Sequence, residues 1–361
     1  MTMLDAPLEV VLYYRYVHIS DVGALIASQE HLCQALGLQG RVRISEEGIN
    51  GTLGGAPASI QGYVDAMESS PEFSGLNIDW KRSDGMGTMP FHDLLVRRVK
   101  EIVSIELPDE ACNVANTGIH LSPEDFHAAL QDATPSTTAI IDVRNNYEYN
   151  IGHFHSALNP STRRFGQFPH WVRDNLDDLS TKNRILMYCT GGIRCEKASA
   201  YLKHLGLSNV YQLKGGIHRY LEAFPDGGAF LGKNFVFDHR VAVASSNDAV
   251  VGRCESCGSA HDDITGIRCS YCRMHVMLCS ACGEQPSSKA ATRVFCSEHK
   301  WLGEGNAAEL TAKIAALERQ LKEHAGPNGK GRRRSIRKQV DAIEETLAGL
   351  QQRSRPWTTL T

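Results

Sequence analysis

Hydrophobic positions in the first hundred residues alternate between two periods. Residues 9–17 (EVVLYYRYV) are β-branched and aromatic, the make-up of a strand. Residues 21–36 place Val22, Leu25, Ile26, Leu32 and Leu36 at helical spacing. RVRIS (41–45) and INGTL (49–53) predict two short strands around a turn. Pro57 opens a helix over 57–68, and strand-like segments follow near 76–82 and 92–99. From 117 to 225 the pattern changes. Continuous apolar runs such as AIIDV (139–143) and RILMYC (184–189) alternate with helical stretches, as strands buried on both faces of a parallel sheet do. Residues 226–253, with GGAFLGKNFVFDHR, predict a connection. Near the C-terminus, Leu310, Ile314, Leu317 and Leu321 step by 4, 3 and 4, and Ile336, Val340, Ile343, Leu347 and Leu350 step by 4, 3, 4 and 3. GPNGKG separates the two seams, so they predict an antiparallel helical hairpin.

These elements predict an α/β multidomain chain. The order βαββαβ over residues 1–108 is that of a ferredoxin-like (acylphosphatase-like) α+β domain, with helices on one face of an antiparallel sheet. An α/β domain with a parallel sheet follows over 109–230, then a cysteine-rich region over 231–303 and a basic hairpin over 304–361.

Composition adds limits. At 361 residues the chain is too long for one ordinary domain, and 42% apolar with 22% charged residues is normal for a globular protein. No apolar run is long enough to cross a bilayer, and MTMLDAPLEV lacks a secretory signal, so the expectation is a cytoplasmic protein with no membrane partner. The net charge of −3 hides an uneven distribution: residues 300–361 carry 12 Lys/Arg against 7 Asp/Glu, a balance of +5. Within that stretch Lys330, Arg332, Arg333, Arg334, Arg337 and Lys338 crowd together, as suits a phosphate backbone; a solvated helix face is the plainer reading.

Seven of the eleven cysteines fall between Cys254 and Cys296. They form the pairs Cys254/Cys257, Cys269/Cys272 and Cys279/Cys282, with Cys296 and His299 as a fourth. Each two-residue gap lets a tight knuckle present two ligands to one tetrahedral ion, so eight ligands suffice for two structural Zn²⁺ ions with filled shells. A cross-brace would join pairs one with three and two with four; a sequential arrangement would join neighbours. The cross-brace is favoured. His261 and His275 are spare histidines, and Cys33 and Cys112 read as small core residues.

A different chemistry is written at Tyr188-Cys189-Thr190-Gly191-Gly192-Ile193-Arg194-Cys195, which joins an apolar strand to a helix. A thiol there meets the N-terminal end of a helix, where N–H groups favour negative charge. The two glycines let the backbone curl into a nest of donors, and Arg194 adds a permanent positive charge. Cys189 is therefore the expected nucleophile, with Arg194 as its catalytic partner and Thr190, Gly191, Gly192, Ile193 and Cys195 as the anion-binding loop. Cys195 has two readings, a small loop residue or a thiol that resolves an oxidised or sulfur-carrying Cys189.

Asp142-Val143-Arg144-Asn145, Glu148, Gly152-His153-Phe154 and Ala157 resemble the first signature of rhodanese domains. The loop from Cys189 to Arg194 resembles their active site, and Leu213-Lys214-Gly215-Gly216 their closing strand-to-helix turn. Four residues separate Cys189 from Arg194, where Cys-dependent phosphatases usually have five, so the loop looks like one that carries a single sulfur atom. Asp142, Arg144 and Glu148 are expected to brace the sheet edge. The segment GRVRISEEGINGT (40–52), together with DVRNNYEYNIGHF and CTGGIRCEKA, is similar to the tRNA uridine(34) hydroxylase family over roughly residues 8–300. The resemblance implies a central rhodanese α/β domain and oxygen-dependent hydroxylation of the wobble uridine at C5. It also implies molecular oxygen as co-substrate, the tRNA anticodon region as partner, and Cys189 as the essential cysteine, a persulfide intermediate by analogy. The electron donor is not named by any motif; no flavin fingerprint or haem attachment motif is present. A sulfurtransferase served by a sulfur-donor protein, or a zinc-stabilised RNA-binding protein without catalysis, are the alternatives. Arg41 and Arg43, with Lys81, Arg82, Arg97, Arg98 and Lys100, would form a basic surface leading to the active site if the substrate is tRNA.

Overall fold

A computed structural model describes residues 7–87, 89–245, 247, 249–283, 294–304, 306–323 and 330–353. The chain divides into two units, residues 1–251 and 252–361.

The first unit begins with β1 (Glu9–Tyr16), α1 (Val22–Ala35), β2 (Gln39–Ser45), β3 (Gly48–Gly55), α2 (Pro57–Ser69) and β4 (Lys81–Asp84). They pair in the sheet order β4-β1-β3-β2, and these neighbours are antiparallel as expected. The segment near 92–99 becomes β5 (Leu94–Arg98), a fifth strand on the far edge that runs parallel to β2. The sheet is therefore mixed rather than wholly antiparallel. The chain crosses from one edge to the other between β4 and β5, so β5 cannot return as a hairpin beside its predecessor. Val11, Tyr13, Val42, Ile44, Ile49 and Leu53 meet Leu25, Cys33, Ile60, Tyr63 and Met67 of the helices in one core. Strand alternation sends Leu12, Tyr14 and Tyr16 of β1 to the opposite face.

The second domain of this unit runs through β6 (Ile119–Leu121), α3 (Pro123–Gln131), β7 (Thr138–Asp142), α4 (Asn146–Tyr149), β8 (Gly152–Phe154), α5 (Phe168–Asp174) and α6 (Leu176–Ser180). It continues through β9 (Arg184–Tyr188), α7 (Ile193–His204), β10 (Val210–Leu213) and α8 (Gly216–Ala223). Four strands pair in parallel in the order β6-β10-β9-β7. Successive β9 residues enter different cores: Ile185 and Met187 pack with Val172 and Leu202, and Leu186 and Tyr188 with Phe126 and Phe154. Burial on both faces explains the unbroken apolar runs.

Residues 226–253, expected as a connection, also carry regular structure. They contain β11 (Phe230–Phe235) and β12 (Ala242–Ala244), and β11 pairs antiparallel with both β8 and β12. The glycines obscured the strand. Gly232 adopts φ +82, and a side chain there would lie 2.4 Å from the Ile151 carbonyl oxygen, so close strand contact takes the place of a large apolar residue.

Asp142 and Arg144 form a fully buried ion pair, with Nη2 at 2.6 Å from Oδ2, and Arg144 also donates to the Gly152 carbonyl of β8. The two domains are tied by Lys197 of α7, whose Nζ lies 2.8 Å from Glu47 and 2.9 Å from Glu101.

The second unit holds α9 (Ser280–Gly283), α10 (Trp301–Glu304), α11 (Ala307–Glu323) and α12 (Lys330–Arg353). α11 and α12 pack together through Leu310, Leu317, Ile336, Val340 and Ile343, the predicted seams. The same core includes Cys269, Tyr271, Val276 and Cys296, so helices and cysteine region fold around one another. The side chains of Leu350, Lys330 and Arg332 lie outside the described set.

Replacing Arg144 by Leu leaves Asp142 charged and unpaired in the core. The expected loss is about 3–5 kcal/mol of unfolding free energy, read by urea denaturation. A loss within experimental error would show that the pair does not brace β7.

Candidate active site and metal centres

β9 ends at Tyr188 and α7 starts at Ile193, so Cys189 lies in the loop between them. Gly192 adopts φ +101, and a side chain there would meet the Tyr14 hydroxyl at 2.9 Å. One on Gly191 would meet Leu12 at 3.0 Å. The glycines thus serve the curl of the loop and the close approach of β1. Gly216, of the Leu213–Gly216 turn, supports the loop from another side, where a side chain would come within 2.5 Å of the Cys189 carbonyl oxygen.

Cys189 is fully buried, and the Gly192 N–H donates to its Sγ at 3.1 Å. Burial pushes its pKa up. The Cys195 thiol, the Arg194 charge and the N–H groups of Cys195 and Arg194 overcome that and bring it down to about 5. Cys195 is pushed well above the ordinary thiol value by its own burial and by the neighbouring thiolate, so it stays protonated and acts as a donor. Cys33 and Cys112, expected to be core residues, are buried, and burial pushes both up, to about 12 and about 11.

Arg194 reaches Glu148 of α4 with both ends of its fork, at 2.7 and 2.8 Å, and donates to Thr190 Oγ1 at 3.2 Å. Burial raises the Glu148 carboxyl, but Arg194 and Arg144 hold it below the usual range. Glu148 is thus more than a sheet brace: it fixes the guanidinium beside the thiolate. Two positions after Arg194, Glu196 accepts from Tyr14 Oη at 2.9 Å and from Gln212 Nε2 at 3.1 Å. The Tyr16 hydroxyl donates to the Ile193 carbonyl at 3.3 Å.

A cavity of about 610 Å³ opens where the two domains meet, with Cys189, Thr190, Gly191, Ile193 and Arg194 on one wall. Arg41, Arg43, Arg97, Arg163 and Arg164 line it as well. Arg41 is paired with Asp93, whereas Arg43 and Arg97 have no carboxylate partner among the described residues. Burial and the nearby Arg97 charge lower the Arg43 pKa. Three of these arginines came from the expected basic surface. Arg163 and Arg164 did not, although Arg-Arg-Phe in a polar loop after β8 is the signal that could have shown them. Phe91, Phe165 and Phe237 also line the cavity.

Other parts of the expected basic surface lie elsewhere. Lys81 is 1% exposed and paired with Asp79 at 2.6 Å, because its place on β4 turns it inward toward Gly191. Arg82 donates to Gln61 at 2.6 Å, and Arg98 is exposed beside Glu46. Neither Arg98 nor Lys100 lines the cavity.

In the second unit Cys254, Cys257, Cys279 and Cys282 converge, and so do Cys269, Cys272, Cys296 and His299. Within each group the ligand atoms lie within 4.8 Å of one another, in the cross-braced pairing. A tetrahedral ion with metal–sulfur bonds of about 2.3 Å needs sulfur–sulfur edges of about 3.8 Å. Cys257 and Cys279 are 3.7 Å apart, and Cys272 and Cys296 are 3.8 Å apart. Both clusters can hold a metal ion, and their size and soft donors are compatible with zinc. His261 and His275 belong to neither group, and His275 Nδ1 is hydrogen-bonded to the Ile264 carbonyl at 3.0 Å.

Alkylation of Cys189 by iodoacetamide, followed by peptide mass spectrometry, is expected to reach half its maximal rate near pH 5, since only the thiolate reacts. Reactivity falls as pH drops below that value. Arg194→Met and Cys195→Ala each remove a stabilising partner and are expected to move the midpoint upward; an unmoved midpoint in both would disprove their role.

Three domain families match the chain: the UPF0176 acylphosphatase-like domain over residues 8–102, the rhodanese-like domain over 122–223 and the rhodanese C-terminal region over 231–299. Rhodanese-like domain-containing protein 6 of Arabidopsis thaliana is 40% identical over 76% of this chain, which spans only 50% of that longer protein. The tRNA uridine(34) hydroxylase of Bacillus velezensis is 38% identical over 74% of this chain and 79% of its own length. That of Corynebacterium jeikeium is 36% identical over 80% of this chain and 94% of its own. Convergent site geometry, domain order and identity over most of each bacterial relative lead to one assignment: this chain belongs to the tRNA uridine(34) hydroxylase family.

Proposed function

We propose that this protein hydroxylates the wobble uridine of tRNA at C5, giving 5-hydroxyuridine, with molecular oxygen as co-substrate. The observation that carries the reading is the buried Cys189 thiol, lowered to about 5, in the wall of an arginine-lined cavity. A uracil ring entering that cavity meets a nucleophile, and the arginines suit the flanking phosphates. Addition of the thiolate to C6 places negative charge at C5, where oxygen is introduced. One oxygen atom stays on the base and the other leaves as water, with two electrons and two protons from a separate donor. Loss of the C5 proton then restores the C5–C6 double bond and expels the thiolate from C6. Arg194, held by Glu148, keeps the sulfur anionic before attack and after release.

Sulfur transfer is the second reading, favoured by the sulfur-sized loop, with Cys189 carrying a persulfide from a donor protein. Nucleoside mass spectrometry on tRNA from cells lacking the gene, complemented with wild type or Cys189→Ser, separates the two. Loss of 5-hydroxyuridine derivatives, restored only by wild type, is expected. Loss of thiolated uridine instead would establish sulfur transfer, and full restoration by Cys189→Ser would rule out the thiolate mechanism.

Two zinc ions with closed shells are proposed for the eight-ligand region, where they would hold the knuckles together. Elemental analysis is expected to find two zinc per chain, and chelation to lower the melting temperature. One ion or none would contradict the assignment.

Arg334, Arg337 and Lys338 are exposed on α12 and are proposed to contact the tRNA backbone. Because the hairpin shares a core with the cysteine region, charge reversal is a cleaner test than truncation. The triple Glu variant is expected to flatten the slope of log affinity against log salt by roughly 2–3. An unchanged slope would assign these residues to a solvated face.

A further inference from the structure

A second cavity, of about 310 Å³, shares Leu12, Thr52, Thr190 and Phe237 with the Cys189 cavity. Its chemistry is different. Val10, Leu221, Val236 and Val243 give it aliphatic walls. Its arginines are already engaged: Arg240 with Asp238 at 2.6 Å, and Arg82 with Gln61 at 2.6 Å and with Glu9 at 3.7 Å. Three polar atoms in its lining have no hydrogen-bond partner among the described residues, Asn234 Oδ1, Ser245 Oγ and His218 Nδ1, the last lying 3.2 Å from Glu222, and Asn234 is only 3% exposed. A buried amide oxygen without a donor is costly, and proteins seldom retain one without a reason.

The ligand that fits is neutral, flat, apolar on its faces and able to donate from an edge N–H. An anion finds no unpaired cation here, whereas the neighbouring cavity has Arg43 and Arg97 without carboxylate partners. A nucleobase has all of these properties, and a base next to the target would need a pocket beside the target's own. We infer that this cavity takes the base of a nucleotide flanking the target uridine, with its N–H donating to Asn234 Oδ1. Phe237, 57% exposed and shared by both cavities, supplies an aromatic surface between the two bases. The inference rests on the tRNA reading above and names how the same site selects its sequence context.

The test uses the full chain and an anticodon stem-loop RNA, with two further RNAs lacking the base on either side of the target. Turnover of the intact loop by wild type tests the hydroxylase reading by itself, and Kd for the three RNAs reads the cavity without turnover. Asn234→Leu is expected to weaken binding of the intact loop and raise its KM by about tenfold, the loss of one buried hydrogen bond. Ser245→Ala, which keeps the volume, is expected to act in the same direction and serves if Asn234→Leu does not fold. Neither variant should weaken binding further on the RNA that lacks the captured base. Equal penalties on all three RNAs, or unchanged Kd and KM in a folded variant, would overturn the inference and leave the hydroxylase reading standing. Equilibrium dialysis with free uridine and adenosine separates the remaining source. Nucleoside binding that Asn234→Leu abolishes, with RNA affinity unchanged, would give the cavity to a free small molecule and overturn the tRNA assignment.

Discussion

Keeping a negatively charged sulfur inside a protein core is the constraint around which the first unit is arranged. An isolated buried anion would take up a proton, so the Cys189 thiolate persists only where donors replace the lost water. The Gly192 N–H and the Cys195 thiol supply short-range donation, and Arg194 supplies the opposing charge. Arg194 is itself buried and would be costly alone, so Glu148 receives both arms of its fork. Glu148 is in turn held by the charges of Arg194 and Arg144, and Arg144 by Asp142. Each compensation creates the need for the next, and the series extends from the loop to the end of β7.

The same loop depends on the N-terminal domain. β1 buries one set of side chains in its own core and turns the other toward the rhodanese domain, where Tyr14 and Tyr16 bond to Glu196 and Ile193. Glu47 lies in the turn between β2 and β3, within the motif that resembled the family hallmark, and it receives Lys197 of the helix that follows the active-site loop. That motif therefore has a docking role as well as a place in the sheet. Docking also brings Arg41, Arg43 and Arg97 to a cavity whose other wall carries the nucleophile. A rhodanese domain alone would present the thiolate without that arginine-rich wall.

Within the second unit, eight ligands and a pair of apolar seams act together. The cysteine knuckles contain few large side chains, and the hairpin helices supply Leu310, Leu317, Ile336 and Ile343 to a core that includes Cys269 and Cys296. The two ligand clusters and the packed helices thus form one body, although the sequence presents them as two successive segments.

Local signals made much of this legible in the sequence. The strand–Cys–Gly-Gly–Arg–helix run pointed to Cys189 as the candidate nucleophile because each requirement is met by neighbouring residues. The two-residue spacings picked out the eight residues that converge into two clusters able to hold a metal ion, and the helical periods identified the hairpin. Features that depend on distant partners were not legible. Lys81 read as a surface cation because its partner Asp79 and its inward direction are set by sheet packing. β11 was hidden because Gly232 substitutes close backbone contact for an apolar side chain. Glu148 showed its negative charge in the sequence but not its hold on Arg194, forty-six positions away. By itself the sequence determined which residue is the candidate nucleophile and which residues can bind metal, since those readings come from residue type and short spacing. The tertiary structure alone decided which charges are buried, which are paired, and which arginines share a cavity with the thiolate, because solvation and pairing depend on residues that only folding brings together.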